Sequence, residues 1–161
     1  MQIQLSQKER MLLEDGKAQE EICIAKYSNY AGQAQDPQLK QLFNQLSGQE
    51  QQHYDTLCTL LQGQQPKMSN SQQQQGSQSQ QQTTQMKQST YQGAMSNTGD
   101  KMLCSDLLST EKHVSSLYDT MIFECQNPTV RQSIQHIQKE EQNHGEQIFN
   151  YMNSNGMYSV Q

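Results

Sequence analysis

Residues 37–61 read PQLKQLFNQLSGQEQQHYDTLCTLL, and a seam of side chains recurs in them in steps of four and three residues. The seam consists of Leu39, Phe43, Leu46, Glu50, His53, Leu57 and Leu60. This spacing puts all of them on one face of an α-helix, as in the core-facing stripe of a helical bundle. Only a glutamate, and a histidine three residues after it, interrupt the apolar seam. The stretch therefore predicts a core helix with two polar side chains in its buried face.

The same pattern returns in the second half of the chain. A shift of 91 residues aligns residues 11–61 with residues 102–152 without a gap, and about a fifth of the paired positions are identical. The shift pairs Glu50 with Glu141 and His53 with His144. The second seam consists of Val130, Ile134, Ile137, Glu141, His144, Ile148 and Tyr151. The repeat indicates that each half of the chain is built in the same way.

A further helix is predicted before each of these seams. Its core face carries a single glutamate, Glu20 in the first half and Glu111 in the second. The two faces are Leu13, Gly16, Glu20, Cys23, Tyr27, Tyr30 and Ala34, and Cys104, Leu107, Glu111, Val114, Tyr118, Met121 and Cys125. Ser6 followed by Glu9 is a capping-box signature for the first helix. Asp-Pro at 36–37 and Asn-Pro at 127–128 are typical of a helix cap with proline at the first helical position.

The pattern predicts an all-α protein with four helices of about 25 residues, each about 37 Å long. Residues 1–62 and 98–155 each form an antiparallel helical hairpin, and residues 156–161 form a tail. Residues 63–97 are rich in Gln and lack a hydrophobic period, so we expect a flexible linker. A connection of that length allows the second hairpin to dock by a crossover, as in a ferritin-like four-helix bundle.

The polar seam residues predict a metal centre. They lie near the middle of their helices, so antiparallel packing brings them to one level, and buried carboxylates are costly unless a cation or a proton neutralises them. The set matches the ferritin-like pattern of one Glu from each of two helices and Glu-x-x-His from the other two. The candidate ligands of two iron or manganese ions are Glu20, Glu50, His53, Glu111, Glu141 and His144. In this arrangement Glu50 and Glu141 bridge the pair.

Other interpretations of these residues stay open. A shift of one residue in helical phase would expose Glu50 and Glu141 on an acidic surface. A core in which the histidines form ion pairs with the carboxylates, or a decayed site kept for packing, needs no metal. Three roles are open for Tyr27 and Tyr118: they are redox-active, they donate hydrogen bonds to the centre, or they only pack in the core. His113 and His136 fall off the seams, and we expect them at the surface.

Net charge and composition argue against several classes of function. The net charge of −5 over 161 residues disfavours sequence-independent binding of nucleic acid or anionic lipid. The N-terminus has no signal-peptide pattern and no stretch is apolar enough to span a membrane, so we expect a protein made and kept inside a cell. Four separate cysteines include no C-x-x-C pair, and we expect reduced, mostly buried thiols.

Two segments, QAQDPQLKQLFNQLSGQEQQHY (33–54) and NPTVRQSIQHIQKEEQNHGEQIFNYM (127–152), resemble the coat F family of spore coat proteins. The Asp-Pro hinge, the LKQLF run, the EEQNHGE segment and the closing NGMY carry most of this similarity. The resemblance covers both hairpins and omits the Gln-rich segment. It implies a ferritin-like fold and a small protein made in the mother cell and deposited on the forespore.

We therefore expect a spore coat protein whose bundle holds a di-metal carboxylate site. Its expected partners are other spore coat proteins or a second copy in a homodimer. The alternative is a di-iron or di-manganese oxidoreductase of the ferroxidase, peroxidase or catalase type, in which turnover of an oxidant is the purpose. A third interpretation, an apolar or haem-like ligand between the helices, rests on the Met and Tyr content alone.

Overall fold

The computed structural model describes residues 2–67 and 98–158. Within these ranges the chain forms helices and no strands: α1 (Gln7–Gln33), α2 (Pro37–Leu61), α3 (Thr98–Glu124) and α4 (Pro128–Ser154). The helices pack as two hairpins, α1 with α2 and α3 with α4, which associate through α1 with α3 and α2 with α4. The predicted all-α four-helix bundle is confirmed. Most of the predicted Gln-rich linker, residues 68–97, lies outside the described residues.

Local sequence signals set where the helices begin. The Ser6 side chain accepts a hydrogen bond from the Glu9 backbone, and the Glu9 carboxylate accepts one from the Ser6 backbone, so the predicted capping box is present at α1. Asp36 caps α2 and Asn127 caps α4, each directly before a proline. Proline is favourable there because the first helical N–H has no partner inside the helix.

Backbone contacts at the helix ends define the topology. The Ile3 N–H donates to the Gly63 carbonyl at 2.7 Å, so α2 ends beside the start of α1. The start of α3 lies at the opposite end, where the Asp100 carboxylate accepts hydrogen bonds from the Gln35 and Asp36 backbones at 2.9 and 3.0 Å. The end of α2 and the start of α3 are thus separated by the length of a helix, as a crossover connection requires.

The apolar core consists of two clusters at the two ends of the bundle, with the polar seam residues between them. One cluster is Leu13, Cys23, Leu57, Leu60, Val114, Tyr118, Met121, Cys125, Val130, Ile134 and Ile137. The other is Tyr27, Ala31, Ala34, Leu39, Phe43, Leu46, Cys104, Leu107, Ile148, Met152 and Met157. Water is therefore excluded from both ends of the middle layer.

The observed core differs from the predicted seams at two tyrosines. Tyr30 and Tyr151 are only half-buried, and Ala31 and Met152 are buried instead. An α-helix has 3.6 residues per turn, so a step of four can follow Tyr27 or Ile148 as well as a step of three. Each tyrosine keeps its hydroxyl at the edge of the core, where Asp106 and Asp36 accept its hydrogen bond at 2.7 and 2.6 Å.

Two further expectations concern the whole chain. None of the described helices carries an apolar stretch of membrane-spanning length. All four cysteines lie in described parts of the chain and are free, and three of them, Cys23, Cys104 and Cys125, are buried. The expectation of reduced, mostly buried thiols is consistent with this arrangement.

Candidate metal centre

The middle layer of the bundle contains all the predicted ligands. The side chains of Glu20, Glu50, His53, Glu111, Glu141 and His144 are at most 3% exposed. One glutamate comes from α1 and one from α3, while α2 and α4 each supply a glutamate and the histidine three residues later. Residues three apart lie on the same face of a helix, so each Glu-x-x-His pair points the same way. The interpretation that placed Glu50 and Glu141 on an exposed surface is therefore excluded.

The six side chains form two overlapping groups. One group is Glu20, Glu50, His53 and Glu141, and the other is Glu50, Glu111, Glu141 and His144. Within each group the candidate ligand atoms lie within 4.8 Å of one another. Glu50 and Glu141 belong to both groups. Two neighbouring positions therefore share two carboxylates, and each has a carboxylate and an imidazole of its own.

Both imidazoles point their Nδ1 atoms into the centre. His53 Nδ1 lies 3.1 Å from Glu50 Oε2, 2.8 Å from Glu141 Oε1 and 3.8 Å from Glu20 Oε2. His144 Nδ1 lies 3.1 Å from Glu50 Oε1, 3.6 Å from Glu141 Oε2 and 3.8 Å from Glu111 Oε1. The rings are stacked, with centroids 5.4 Å apart and planes inclined by 16°. The two halves of the centre are thus related by the sequence repeat.

Burial and charge divide the four carboxyl groups into two kinds. Burial raises the pKa of Glu20 to about 8, assisted by the charges of Glu141 and Glu50. Burial also raises the pKa of Glu111 well above its usual value, with Glu141 adding to the effect. For Glu50 and Glu141 burial acts in the same direction, but the nearby imidazoles of His144 and His53 outweigh it and lower the pKa.

The same contacts that lower the pKa of Glu50 and Glu141 raise the pKa of both imidazoles. Burial alone would lower the pKa of both rings. Close contacts with the carboxyl groups of Glu140, Glu141, Glu20 and Glu50 raise the pKa of His53 well above its usual value, and Glu141 and Glu50 raise that of His144 to about 9. In the metal-free protein these shifts favour charged imidazoles beside ionised Glu50 and Glu141, and protonated Glu20 and Glu111. The interpretation as an ion-paired core is therefore electrostatically consistent in the metal-free protein.

Hydrogen bonding remains incomplete in this cluster. Among the described residues, Glu20 Oε2, Glu111 Oε2 and both oxygens of Glu141 are buried without a hydrogen-bond partner. Glu141 Oε1 is close to His53 Nδ1, but that nitrogen makes its hydrogen bond with Glu50 Oε2. Buried oxygens without a donor cost about 1–3 kcal/mol each. A divalent cation would satisfy these oxygens, so the donor set fits the predicted metal pair.

Two phenols hold the carboxylates that are not shared. Tyr27 Oη donates a hydrogen bond to Glu111 Oε1, and Tyr118 Oη donates one to Glu20 Oε1. Both tyrosines are fully buried. Burial, together with the neighbouring carboxylate, raises the pKa of each phenol well above its usual value. They therefore act as protonated donors within the core, which combines two of the three roles considered for them.

A seventh polar residue was missed by the sequence reasoning. Glu140 Oε2 lies 2.8 Å from His53 Nε2, on the outer side of the ring, and hydrogen bonding to His53 lowers the pKa of this carboxyl. His136, one-third exposed, lies 3.5 Å from the same oxygen, and His113 is exposed. Neither His113 nor His136 enters the centre. The signal for Glu140 was its place directly before a predicted ligand, where the first repeat has Gln49.

Comparison with known proteins identifies one domain. The family model described as the Coat F domain matches residues 99–161, which contain α3, α4 and the tail. The expected family is confirmed for this part of the chain, and the first hairpin lies outside the match. No curated protein and no solved structure matched the chain.

Proposed function

We propose that this chain, a coat F protein by the match over residues 99–161, is a spore coat component whose bundle binds two divalent metal ions. The coat F domain suggests association with the spore coat. The buried acidic and imidazole cluster supports the metal centre. The expected partners remain other spore coat proteins or a second copy of the chain, and light scattering at two protein concentrations tests for the homodimer.

One observation carries the metal centre: carboxylate oxygens without hydrogen-bond partners lie inside two ligand groups that share Glu50 and Glu141. Both Nδ1 atoms make their hydrogen bonds with Glu50, so an ion-paired core without metal leaves these oxygens without a hydrogen bond, at a cost in stability. Glu50 and Glu141 would contribute to both ions of the proposed centre, Glu20 and His53 would hold one, and Glu111 and His144 would hold the other. The first-row metals iron and manganese suit this mixture of carboxylate and imidazole.

The surroundings also disfavour thiolate coordination. Cys23 is buried in the adjacent core. Burial, followed by the charges of Glu50 and Glu20, raises the pKa of its thiol far above the usual value. Cys23 belongs to neither ligand group, so metals that select thiolate gain nothing from it. When bound, an iron or manganese pair would supply one-electron redox chemistry. The phenols of Tyr27 and Tyr118 hold the carboxyl groups of Glu111 and Glu20 in place.

Elemental analysis of the purified protein tests the centre. We expect two equivalents of iron or manganese per chain after loading. Glu50→Ala removes a ligand from both groups and should reduce bound metal to less than one equivalent. Glu146→Ala, a change at an exposed glutamate of α4, is the matched control and should retain two. If the wild-type protein stays metal-free after loading and has ordinary stability, the proposed metal centre is wrong and the bundle is only a helical scaffold.

A second candidate, a di-iron or di-manganese oxidoreductase, has a specific observation behind it. The phenols of Tyr27 and Tyr118 are hydrogen-bonded directly to the two terminal carboxylates. Tyrosines so close to a redox metal can transfer an electron and a proton together. Peroxide loss measured with loaded wild type, Glu50→Ala and Tyr118→Phe separates the two functions. Turnover that both substitutions abolish supports the oxidoreductase, whereas loaded protein without turnover supports a structural centre.

Localisation is a separate test of the coat assignment. A fluorescent fusion of the full chain, produced in a sporulating cell, should collect on the developing forespore. The same fusion lacking residues 99–161 removes the matched domain and should stay diffuse. Diffuse fluorescence from both fusions would contradict a coat location without bearing on the metal centre.

A further inference from the structure

The two hairpins differ at the surface that covers the centre. Beside α3 and α4 the structure has a cavity of about 460 Å³ whose lining includes the ligands Glu111 and Glu141. Ser115 and Gly145 line it as well. A second cavity, about 300 Å³ beside α1 and α2, is lined by Arg10, Glu14, Lys17, Ala18, Glu21 and Leu61. None of the six predicted ligands lines that second cavity.

The sequence repeat explains this asymmetry. The 91-residue shift pairs Gly145 with Tyr54 and Ser115 with Ile24. In the first hairpin the Tyr54 side chain is half-buried, with the Lys17 ammonium 5.4 Å from its ring centroid. The surface of α1 and α2 that corresponds to the cavity therefore carries larger side chains at these two positions. In the second hairpin a glycine and a serine leave that space open.

The floor of the cavity belongs to the ligands themselves. A Cβ added to Gly145 would lie 3.8 Å from Glu111 Cβ and 3.7 Å from Leu108 Cδ1. Glu111 Oε2 is buried and has no hydrogen-bond partner among the described residues. Glu111 and Glu141 thus border the cavity and also belong to the buried cluster.

The lining favours a cation. It contains the carboxylates of Asp119 and Glu141 and the carboxyl group of Glu111, against the single ammonium of Lys112. Serine hydroxyls and glutamine amides supply further oxygen atoms that can replace water around a hard cation. Six waters take up roughly 180 Å³ at the density of the liquid. The cavity is therefore large enough for a divalent cation with its hydration shell.

We propose that the cavity between α3 and α4 is the port through which divalent cations reach the centre, and that the first hairpin is closed to them. This inference rests on the proposed metal centre. Glu111 and Glu141 would take the ion at the floor of the port, and the asymmetry of the repeat would make loading one-sided.

Loading kinetics test the port, with Co²⁺ as the probe because its bound form absorbs visible light. Gly145→Tyr copies Tyr54 into the second hairpin, and we expect it to slow Co²⁺ loading at least tenfold while the final stoichiometry stays at two. Gly48→Tyr is the matched control, because a Cβ there meets no atom within 4 Å, and it should load like wild type. Ser115→Ile, which copies Ile24, should also slow loading. It tests the port even if Gly145→Tyr does not fold.

The outcomes separate the two proposals. Wild-type rates in the folded cavity-filling variants overturn the port and leave the metal centre standing. A wild-type rate with a lower final stoichiometry also overturns it, since the substitution would then disturb ligands and not passage. If wild-type protein takes up no Co²⁺, the centre and the port both fall.

Discussion

At the scale of single residues, the two histidines of the centre differ in their outer partner. His53 has the Glu140 carboxylate 2.8 Å from Nε2. In the repeat the position of Glu140 is held by Gln49, a neutral amide whose Oε1 is buried without a hydrogen-bond partner among the described residues. A carboxylate behind a ligating imidazole fixes its orientation and increases its basicity. The cation position served by His53 should therefore be the tighter of the two.

Glu140→Gln tests this difference because it gives both repeats the same outer residue. We expect the affinity for Mn²⁺ at the tighter position to fall by about 10–100-fold, the usual effect of losing such a partner. Isothermal titration should show two unequal sites in wild type and two similar, weaker sites in the variant. Glu146→Gln removes the same charge from an exposed position of α4 and should leave both sites unchanged. Unequal sites that persist in Glu140→Gln would contradict the role of Glu140.

Gly16 is a second residue at which local contacts make a prediction. It is buried inside α1, where the other repeat has Leu107. An added Cβ would lie 3.4–3.5 Å from Tyr118, Leu57 and Met121, which is ordinary van der Waals contact. Glycine in a helix interior costs about 0.5–1 kcal/mol relative to alanine.

Gly16→Ala should therefore raise the free energy of unfolding by about 0.5–1 kcal/mol. The melting temperature should rise by about 1–4 °C, since 1 kcal/mol corresponds to about 2–4 °C at this chain length. Gly48→Ala, at an exposed position of α2 with open space around it, reports the helix preference alone. A fall in melting temperature in Gly16→Ala, together with a rise in Gly48→Ala, would show that the core cannot take the extra methyl group.

The sequence predicted the burial of the candidate ligands better than it predicted their surroundings. Glu50 and His53 were predictable because a polar residue inside an otherwise apolar seam must be buried with it. Glu140 lies just off the seam, and its contact with His53 depends on how α4 packs against α2. The cavity beside Gly145 likewise depends on which side chains the partner helix presents. Periodicity within one helix contains no information on such contacts between helices.

At the scale of helices and turns, an acidic side chain of each hairpin accepts backbone hydrogen bonds from the turn of the other hairpin. Glu9, in the first turn of α1, accepts a hydrogen bond from the Asn127 backbone at 2.7 Å. Asp100, in the first turn of α3, accepts hydrogen bonds from the Gln35 and Asp36 backbones. The 91-residue shift pairs Glu9 with Asp100, so the contact repeats like the metal ligands do. An acidic residue at matched positions was the signal in the sequence for this contact.

Glu9 gives a prediction for pH. Burial would raise the pKa of its carboxyl group, but backbone donors at Asn127 and Ser6 outweigh burial and lower it below 4.5. A lowered pKa in the folded state means that the stabilisation is present above the unfolded-state pKa and is lost as the pH falls through the folded-state pKa. Glu9→Gln should therefore cost about 1.5–3 kcal/mol at pH 7.

Urea unfolding at several pH values measures this effect. The difference in unfolding free energy between wild type and Glu9→Gln should shrink below about pH 4, where the wild-type carboxylate takes up a proton. Glu14→Gln, at an exposed position of the same helix, should match wild type throughout. A difference in unfolding free energy that stays constant down to pH 3 would mean that the stabilisation by Glu9 does not depend on its charge.

At the scale of the whole molecule, the proposed cations join the two hairpins. One ligand group takes Glu20, Glu50 and His53 from the first hairpin and Glu141 from the second. The other group takes Glu111, Glu141 and His144 from the second hairpin and Glu50 from the first. Each cation thus has ligands on both sides of the interface between hairpins. Metal binding and docking of the hairpins should be thermodynamically linked.

This linkage should become visible when the chain is cut between the hairpins. A protease site inserted within residues 68–97 yields two fragments that keep all six ligands but lose their covalent connection. A cation at 100 times its dissociation constant stabilises the bound form by about 2.7 kcal/mol per site. Two such sites give about 5 kcal/mol, so the cut protein should melt roughly 10–20 °C higher with Mn²⁺ than with a chelator. Its melting temperature should also rise with protein concentration, because docking is now bimolecular.

The cut form of Glu50→Ala is the control, since it lacks the carboxylate that both groups share. Added Mn²⁺ should change its melting temperature little, and native mass spectrometry should show less of the paired fragments than for the cut wild type. Equal melting temperatures of the cut wild type with Mn²⁺ and with chelator would contradict the linkage. The two hairpins would then be held by the apolar clusters and by their direct polar contacts, such as those of Glu9 and Asp100, and any bound cation would contribute nothing to their association.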